Sequence, residues 1–284
     1  MNLQNIFSVI EKSDPEIFDR LDSRRNIMKQ FARTSGKIAV ASIPFALGSM
    51  LQKASAAPPP PTGDSIPDTL NFALTLEYLE ANFYIKAVEV GMFPDAASKM
   101  AFTTIRDHEN AHVNFLKTAI SAAGFTPVSF QFADFDFTAK GNFPGVFSDY
   151  GTMLAVAQTF EDTGVRAYKG QAPNLMSNND YLTAALQIHS VEGRHAAHLR
   201  YMRRKANLLV PSGIDLKPWI TLDQSGIGSA AVQASYDGEQ VVNQAGVMIT
   251  NIGGFDISAE AASEAFDEPL TKEQVLAIVT PFFA

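Results

Sequence analysis

The chain has 284 residues, 30 of them acidic and 22 basic, with a net charge of −8 and 46% apolar side chains. This composition suits one large folded domain, or a domain with an appendage, and excludes a disordered polymer. Beyond residue 57 the charge is about −11 and cysteine is absent, which excludes phosphate-backbone binding, disulfides, iron–sulfur clusters and thiolate chemistry. Any metal would therefore be held by oxygen and imidazole nitrogen, a donor set suited to iron, manganese or zinc.

The first segment reads as an address. Ser23-Arg24-Arg25-Asn26-Ile27-Met28-Lys29 resembles a twin-arginine export motif. Residues 38–51 (IAVASIPFALGSML) supply a short apolar run, and Ala54-Ser55-Ala56 a small-x-small cleavage site. Residues 1–57 are thus expected to be a signal segment, read by the twin-arginine export machinery and directing the folded protein to the periplasm. An uncleaved membrane anchor is the alternative, although Pro44 and Gly48 interrupt the run. Residues 58–66, opening with four prolines, form a linker.

From Asp68 the pattern becomes helical. Leu70, Leu74, Glu77, Ala81, Tyr84 and Val88 recur in alternating steps of four and three, the seam of a packed bundle. Asp68 is a candidate N-cap and Gly91 a candidate terminator. After Pro94, a second helix places Phe102, Ile105, Glu109, His112, Leu116 and Ala119 on one stripe and ends at Gly124. Residues 125–147 break the period with alternating aromatics and turn formers, predicting a long crossover that has room for a short strand. A third helix starts near Ser148 and carries Leu154, Ala157, Glu161, Val165 and Tyr168, with Pro173 and Asn174 ending it. A fourth starts near Asn178 and carries Ala185, Ile188, Glu192, His195, Leu199 and Met202. Short loop, long crossover, short loop over residues 67–206 is the connectivity of a four-helix bundle with a B–C crossover. Residues 207–284 are an irregular extension expected to pack on the bundle, with a closing amphipathic helix over 271–282.

The polar residues on these apolar stripes carry the chemistry. Burying an unpaired carboxylate or imidazole costs several kcal/mol. Glu109-x-x-His112 and Glu192-x-x-His195 each place two such groups about 60° apart on one helix face. Glu77 and Glu161 add one carboxylate from each of the other helices, and the seams hold no lysine or arginine to neutralise them. A pair of metal ions explains all six, so Glu77, Glu109, His112, Glu161, Glu192 and His195 are the expected ligands. The two hairpins repeat. Tyr84 follows Glu77, and Tyr168 follows Glu161, at the same spacing of seven residues. The repeat aligns Glu80 with Gly164, which makes Glu80 a flanking group rather than a ligand. Tyr84 and Tyr168 are either core aromatics or hydrogen-bond donors to metal-bound glutamates. His108, His189 and His198 fall off the seam and read as surface or helix-end residues, with His198 near enough to His195 to support it. Gly164 and Gly193 interrupt helices, either opening space for a small ligand or allowing close packing.

The segments LNFALTLEYLEANFY, RDHENAH, TFEDTGVRAY and HSVEGRH resemble the ferritin-like superfamily, and within it exported ferritin-like domain proteins related to plant desiccation-associated proteins. The resemblance covers about residues 67–205 and implies an all-α, ferritin-like four-helix bundle with two iron or manganese ions as cofactors. It implies oxygen or peroxide as the reacting partner, and leaves a homo-oligomer open. Three functions follow from it: redox catalysis at the metal pair, iron binding and storage, or a non-catalytic desiccation or envelope-stress role.

Overall fold

The computed structural model describes residues 64–244 and 246–284. The export motif, apolar run and cleavage site, and all but the last residues of the linker, lie outside these. No described helix is long and apolar enough to cross a membrane.

Four long helices dominate: α1 (Ile66–Val90), α2 (Ala96–Ala122), α3 (Tyr150–Gln171) and α4 (Asn179–Ala206). The chain is all-α in the manner expected, with α1 packed along α2 and α3 along α4, and the two hairpins facing one another. Each start is fixed by a side-chain cap accepting a backbone N–H, which satisfies donors that have no partner within the helix. Ser65 rather than Asp68 caps α1, accepting from Asp68 N at 3.3 Å. Asp95 accepts from Ser98 N at 2.7 Å, Asp149 from Thr152 N at 2.7 Å, and Asn178 from Tyr181 N at 3.2 Å. The Asp149 cap sets the start of α3 at Tyr150, two residues beyond the expected Ser148. Gly91 ends α1 at φ 72°, a left-handed conformation that costs a side-chain-free residue little.

Residues 123–149 form the crossover. The short strand anticipated there is replaced by a 3-10 turn over Phe132–Asp134 and a single bridge between Phe135 and Phe283. Its aromatic alternation serves packing instead. Phe137 and Phe147 lie 5.7 and 5.5 Å from the Phe83 ring of α1, and Phe83 meets Phe160 of α3 edge-on at 5.3 Å. The chain end joins this layer, with Phe160–Phe282 centroids 4.8 Å apart and Asp136 N donating to Phe282 O at 2.7 Å. The long connection is thereby pinned between the hairpins and the C-terminus.

The extension contains two-residue strands β1 (Asn243–Gln244) and β2 (Val247–Met248), a short helix α5 (Ala259–Ser263) and α6 (Lys272–Val279). A capping box at Thr271 and Gln274 starts α6, and a 3-10 turn over Thr280–Phe282 finishes the segment expected to be one helix. The extension covers the faces of α3 and α4 that turn away from the other hairpin, so almost every residue of α3 is buried. Three buried arginines hold it. Arg166 pairs with Glu239 at 2.6 Å and donates to the Ser235, Asp237 and Glu268 carbonyls. Arg200 forms a two-pronged bond to Asp162, which also accepts from the Tyr236 hydroxyl at 2.8 Å. Arg203 donates to Gln158 and to the Leu209 and Gly226 carbonyls.

Gly170 marks the closest approach of extension and bundle: a Cβ there would lie 1.9 Å from the Leu270 carbonyl oxygen. Gly170→Ala is therefore expected to cost about 1–3 kcal/mol by overpacking. For a domain of this size that corresponds to a melting temperature roughly 2–12 °C lower, read by circular dichroism. An unchanged melting temperature would contradict the contact between Leu270 and α3.

Candidate metal centre

The period-3.5 seams bring Glu77, Glu109, His112, Glu161, Glu192 and His195 together in the core, the four glutamates wholly buried and the two histidines nearly so. They form two overlapping groups: Glu77, Glu109, His112 and Glu192, and Glu109, Glu161, Glu192 and His195. Within each group, one ligand atom per residue lies within 4.8 Å of all the others. Glu109 and Glu192 belong to both groups. Each Glu-x-x-His helix thus contributes one shared carboxylate and one histidine that serves a single group.

The distances follow the repeat. His112 Nδ1 lies 3.1 Å from Glu77, 3.0 Å from Glu109 and 3.3 Å from Glu192. His195 Nδ1 lies 3.0 Å from Glu109 and 3.1 Å from Glu161. A ring nitrogen carries at most one proton, so it cannot serve several carboxylates. Accordingly Glu109 Oε1 and both Glu192 oxygens are buried without a hydrogen-bond donor of acceptable geometry. Convergent, under-donated carboxylate oxygens beside two imidazoles are what a pair of hard or borderline cations requires.

The phenols cross between hairpins. Tyr84 of α1 donates to Glu161 of α3 at 2.6 Å, and Tyr168 of α3 donates to Glu77 of α1. Burial, reinforced by the carboxylate each one faces, raises both phenols well above their ordinary range, so they remain donors. Each fixes the orientation of a glutamate held by a single group.

The charges are balanced among the protein's own groups. Burial pushes Glu77 up to about 8 against the pull of His112. Burial and the charge of Glu192 hold Glu80 well above the carboxylate range. Burial is also the main cause of the raised Glu161. At Glu109 burial opposes ionisation too, but the charge and hydrogen bond of His112, with the charge of His195 beside it, outweigh burial and keep this carboxyl low. Burial disfavours charge on the imidazoles, yet the carboxylates win, lifting His112 far above its usual range and His195 to about 10.

Two flanking residues differ from their sequence reading. His108 is not a surface residue: it is half-buried, with Nδ1 2.9 Å from His195 Nε2. His189 is likewise drawn inward, its Nδ1 2.9 Å from the Val165 carbonyl of α3. His198 is exposed next to Tyr201, in keeping with its surface reading. A residue one position before a seam glutamate points about 100° away from it, which hides His108 from a stripe analysis. The signal that would have revealed it is the repeat itself, since the matching position holds Val191.

Gly164 makes room for carboxylates. A Cβ there would lie 3.0 Å from Glu192 Oε2 and 3.4 Å from Glu80 Oε1. Gly193, by contrast, is exposed and a Cβ there would meet nothing within 4 Å. Gly164→Ala is expected to keep the helical fold, since alanine is favoured over glycine inside a helix by about 0.5–1 kcal/mol. It should nevertheless lower metal content relative to wild type by displacing Glu192, as read by elemental analysis beside circular dichroism. Full metal content in the variant would contradict this role for the glycine.

Comparison with known proteins agrees with this architecture. Residues 66–205 match the family model of the ferritin-like domain. No curated protein and no solved structure matches significantly. The match begins and ends with the four helices that supply the buried cluster, so it is the bundle of this chain that matches the ferritin-like domain.

Proposed function

We propose that this protein holds two iron or manganese ions and uses them in redox chemistry with oxygen or peroxide. The observation that carries the reading is the pair of buried groups sharing Glu109 and Glu192. Glu77 and His112 would complete one position, and Glu161 and His195 the other. Two such ions, when bound, supply the electrons for reducing oxygen or peroxide and the Lewis acidity to bind it. The chain's own part is to hold Glu77 and Glu161 in place through Tyr168 and Tyr84, and to surround the cluster with apolar core that keeps out bulk water.

Iron binding and storage is the second reading, since the same donor set would take up ferrous iron without acting on an organic substrate. Export through the twin-arginine pathway to the periplasm belongs to the proposal as well. It is supported by Ser23-Arg24-Arg25 and the Ala54-Ser55-Ala56 site, and by the fit between metal uptake before export and a pathway that carries folded proteins. The resemblance of its helical segments to desiccation-associated proteins supports a stress-related setting.

The direct test is elemental analysis of purified protein beside a Glu109→Ala/Glu192→Ala variant. The expected result is about two iron or manganese ions per chain, lost in the variant. A folded wild-type protein that takes up no transition metal after anaerobic loading would overturn the proposal. Peroxide decay by manganese-loaded protein would favour the redox reading, and rapid Fe(II) oxidation with iron retained would favour storage.

Metal uptake should also depend on pH in a fixed direction. Glu77, raised to about 8, and His195, raised to about 10, both carry protons near neutrality that a metal must displace. Apparent affinity is therefore expected to rise between pH 6 and 7.5, by roughly tenfold per pH unit for each proton released. Calorimetry in buffers of different ionisation enthalpy counts those protons, and a count of zero would contradict this account of the cluster.

A further inference from the structure

His108 and His195 form a pair that the repeat does not duplicate. His108 Nδ1 lies 2.9 Å from His195 Nε2, with the two rings edge to edge, centroids 5.1 Å apart and planes 17° from parallel. Two imidazole nitrogens this close form a hydrogen bond when one carries the proton and the other offers its lone pair. His195 turns its opposite nitrogen, Nδ1, to Glu109 and Glu161 at 3.0 and 3.1 Å. If Nδ1 is the metal-facing atom, the proton sits on Nε2 and His195 donates to His108. In the other half, His112 presents Nδ1 to Glu77, Glu109 and Glu192. There the position matching His108, one residue before the glutamate of Glu-x-x-His, is Val191, which has no side-chain hydrogen-bonding atom.

We propose that His108 is a positioning residue that makes the two metal positions unequal, so that the position formed with Glu161 and His195 fills first. Accepting from His195 Nε2–H selects the tautomer with a free lone pair at Nδ1, fixes the ring, and strengthens Nδ1 as a donor. A histidine ligand held through its second nitrogen in this way loses about 10–100-fold in metal affinity when that partner is removed. The inference rests on the dimetal reading and adds to it an order of filling.

The test is calorimetric titration with Co(II), followed in parallel by its visible absorption, on wild-type protein and on His108→Val and His108→Gln variants. The valine copies the residue at the matching position, and the glutamine retains an acceptor oxygen. Wild type should show two binding steps of different affinity. His108→Val should weaken the tighter step by about 10–100-fold and leave the other unchanged, while His108→Gln recovers part of the loss. Thermal unfolding of each variant shows whether it is folded, and the glutamine variant decides should the valine one fail to fold. If the folded variants bind both ions as wild type does, the role of His108 is wrong and the dimetal reading stands. Equal loss in both steps, or in His108→Val and His108→Gln alike, would also overturn the positioning role. If wild type binds no Co(II), both readings fall.

Discussion

Four carboxylates and two imidazoles share the centre of an apolar bundle, and the rest of the fold answers to the cost of keeping them there. Isolated charges in such a place are unstable by several kcal/mol each, so the groups must neutralise one another or hold cations. The imidazoles do this for the protein by itself, drawing protons that burial alone would strip from them. The tyrosines supply donors where the histidines cannot. Helix phase, helix spacing and the small residue at Gly164 all serve to let these side chains meet.

A second polar network lies on the far side of α3 and α4, with the opposite balance of groups. There, Arg166, Arg200 and Arg203 are buried under the extension and bonded to Glu239, Asp162, Gln158 and a series of backbone carbonyls. Removing a partner from a buried pair is far more costly than the pair is worth, so this network fixes where the irregular segment lies more than it adds stability. α3 is the element common to both networks. It offers Glu161 and Tyr168 to one side, and Asp162 and Arg166 to the other.

The helices and the cluster were legible because both follow from periodicity. A glutamate on an apolar stripe contradicts its surroundings, and six such contradictions in matching positions locate one another. The arginines were not legible for the converse reason. Arg166, Arg200 and Arg203 sit on outward helix faces, where a charged residue is the ordinary occupant, and nothing local distinguishes a face open to water from one covered by a distant loop. His108 was hidden by its phase. The alternating phenylalanines of the crossover suggest a short strand within it, but they pack on Phe83, Phe160 and the chain end instead of pairing along a neighbouring backbone.

The reciprocal bonds between Tyr84 and Glu161, and between Tyr168 and Glu77, mean that each hairpin finishes the other's half of the centre. Two identical hairpins associating as separate chains could make those same bonds, but they would have to be alike at every position. Joining them in one polypeptide lifts that restriction. Glu80 can extend toward the space left by Gly164, where a second glutamate at the matching position would set one carboxylate against another. His108 can likewise stand against His195 while Val191 occupies the related place. The crossover does more than return the chain to the start of α3: it permits a near-symmetric centre to have two different ends.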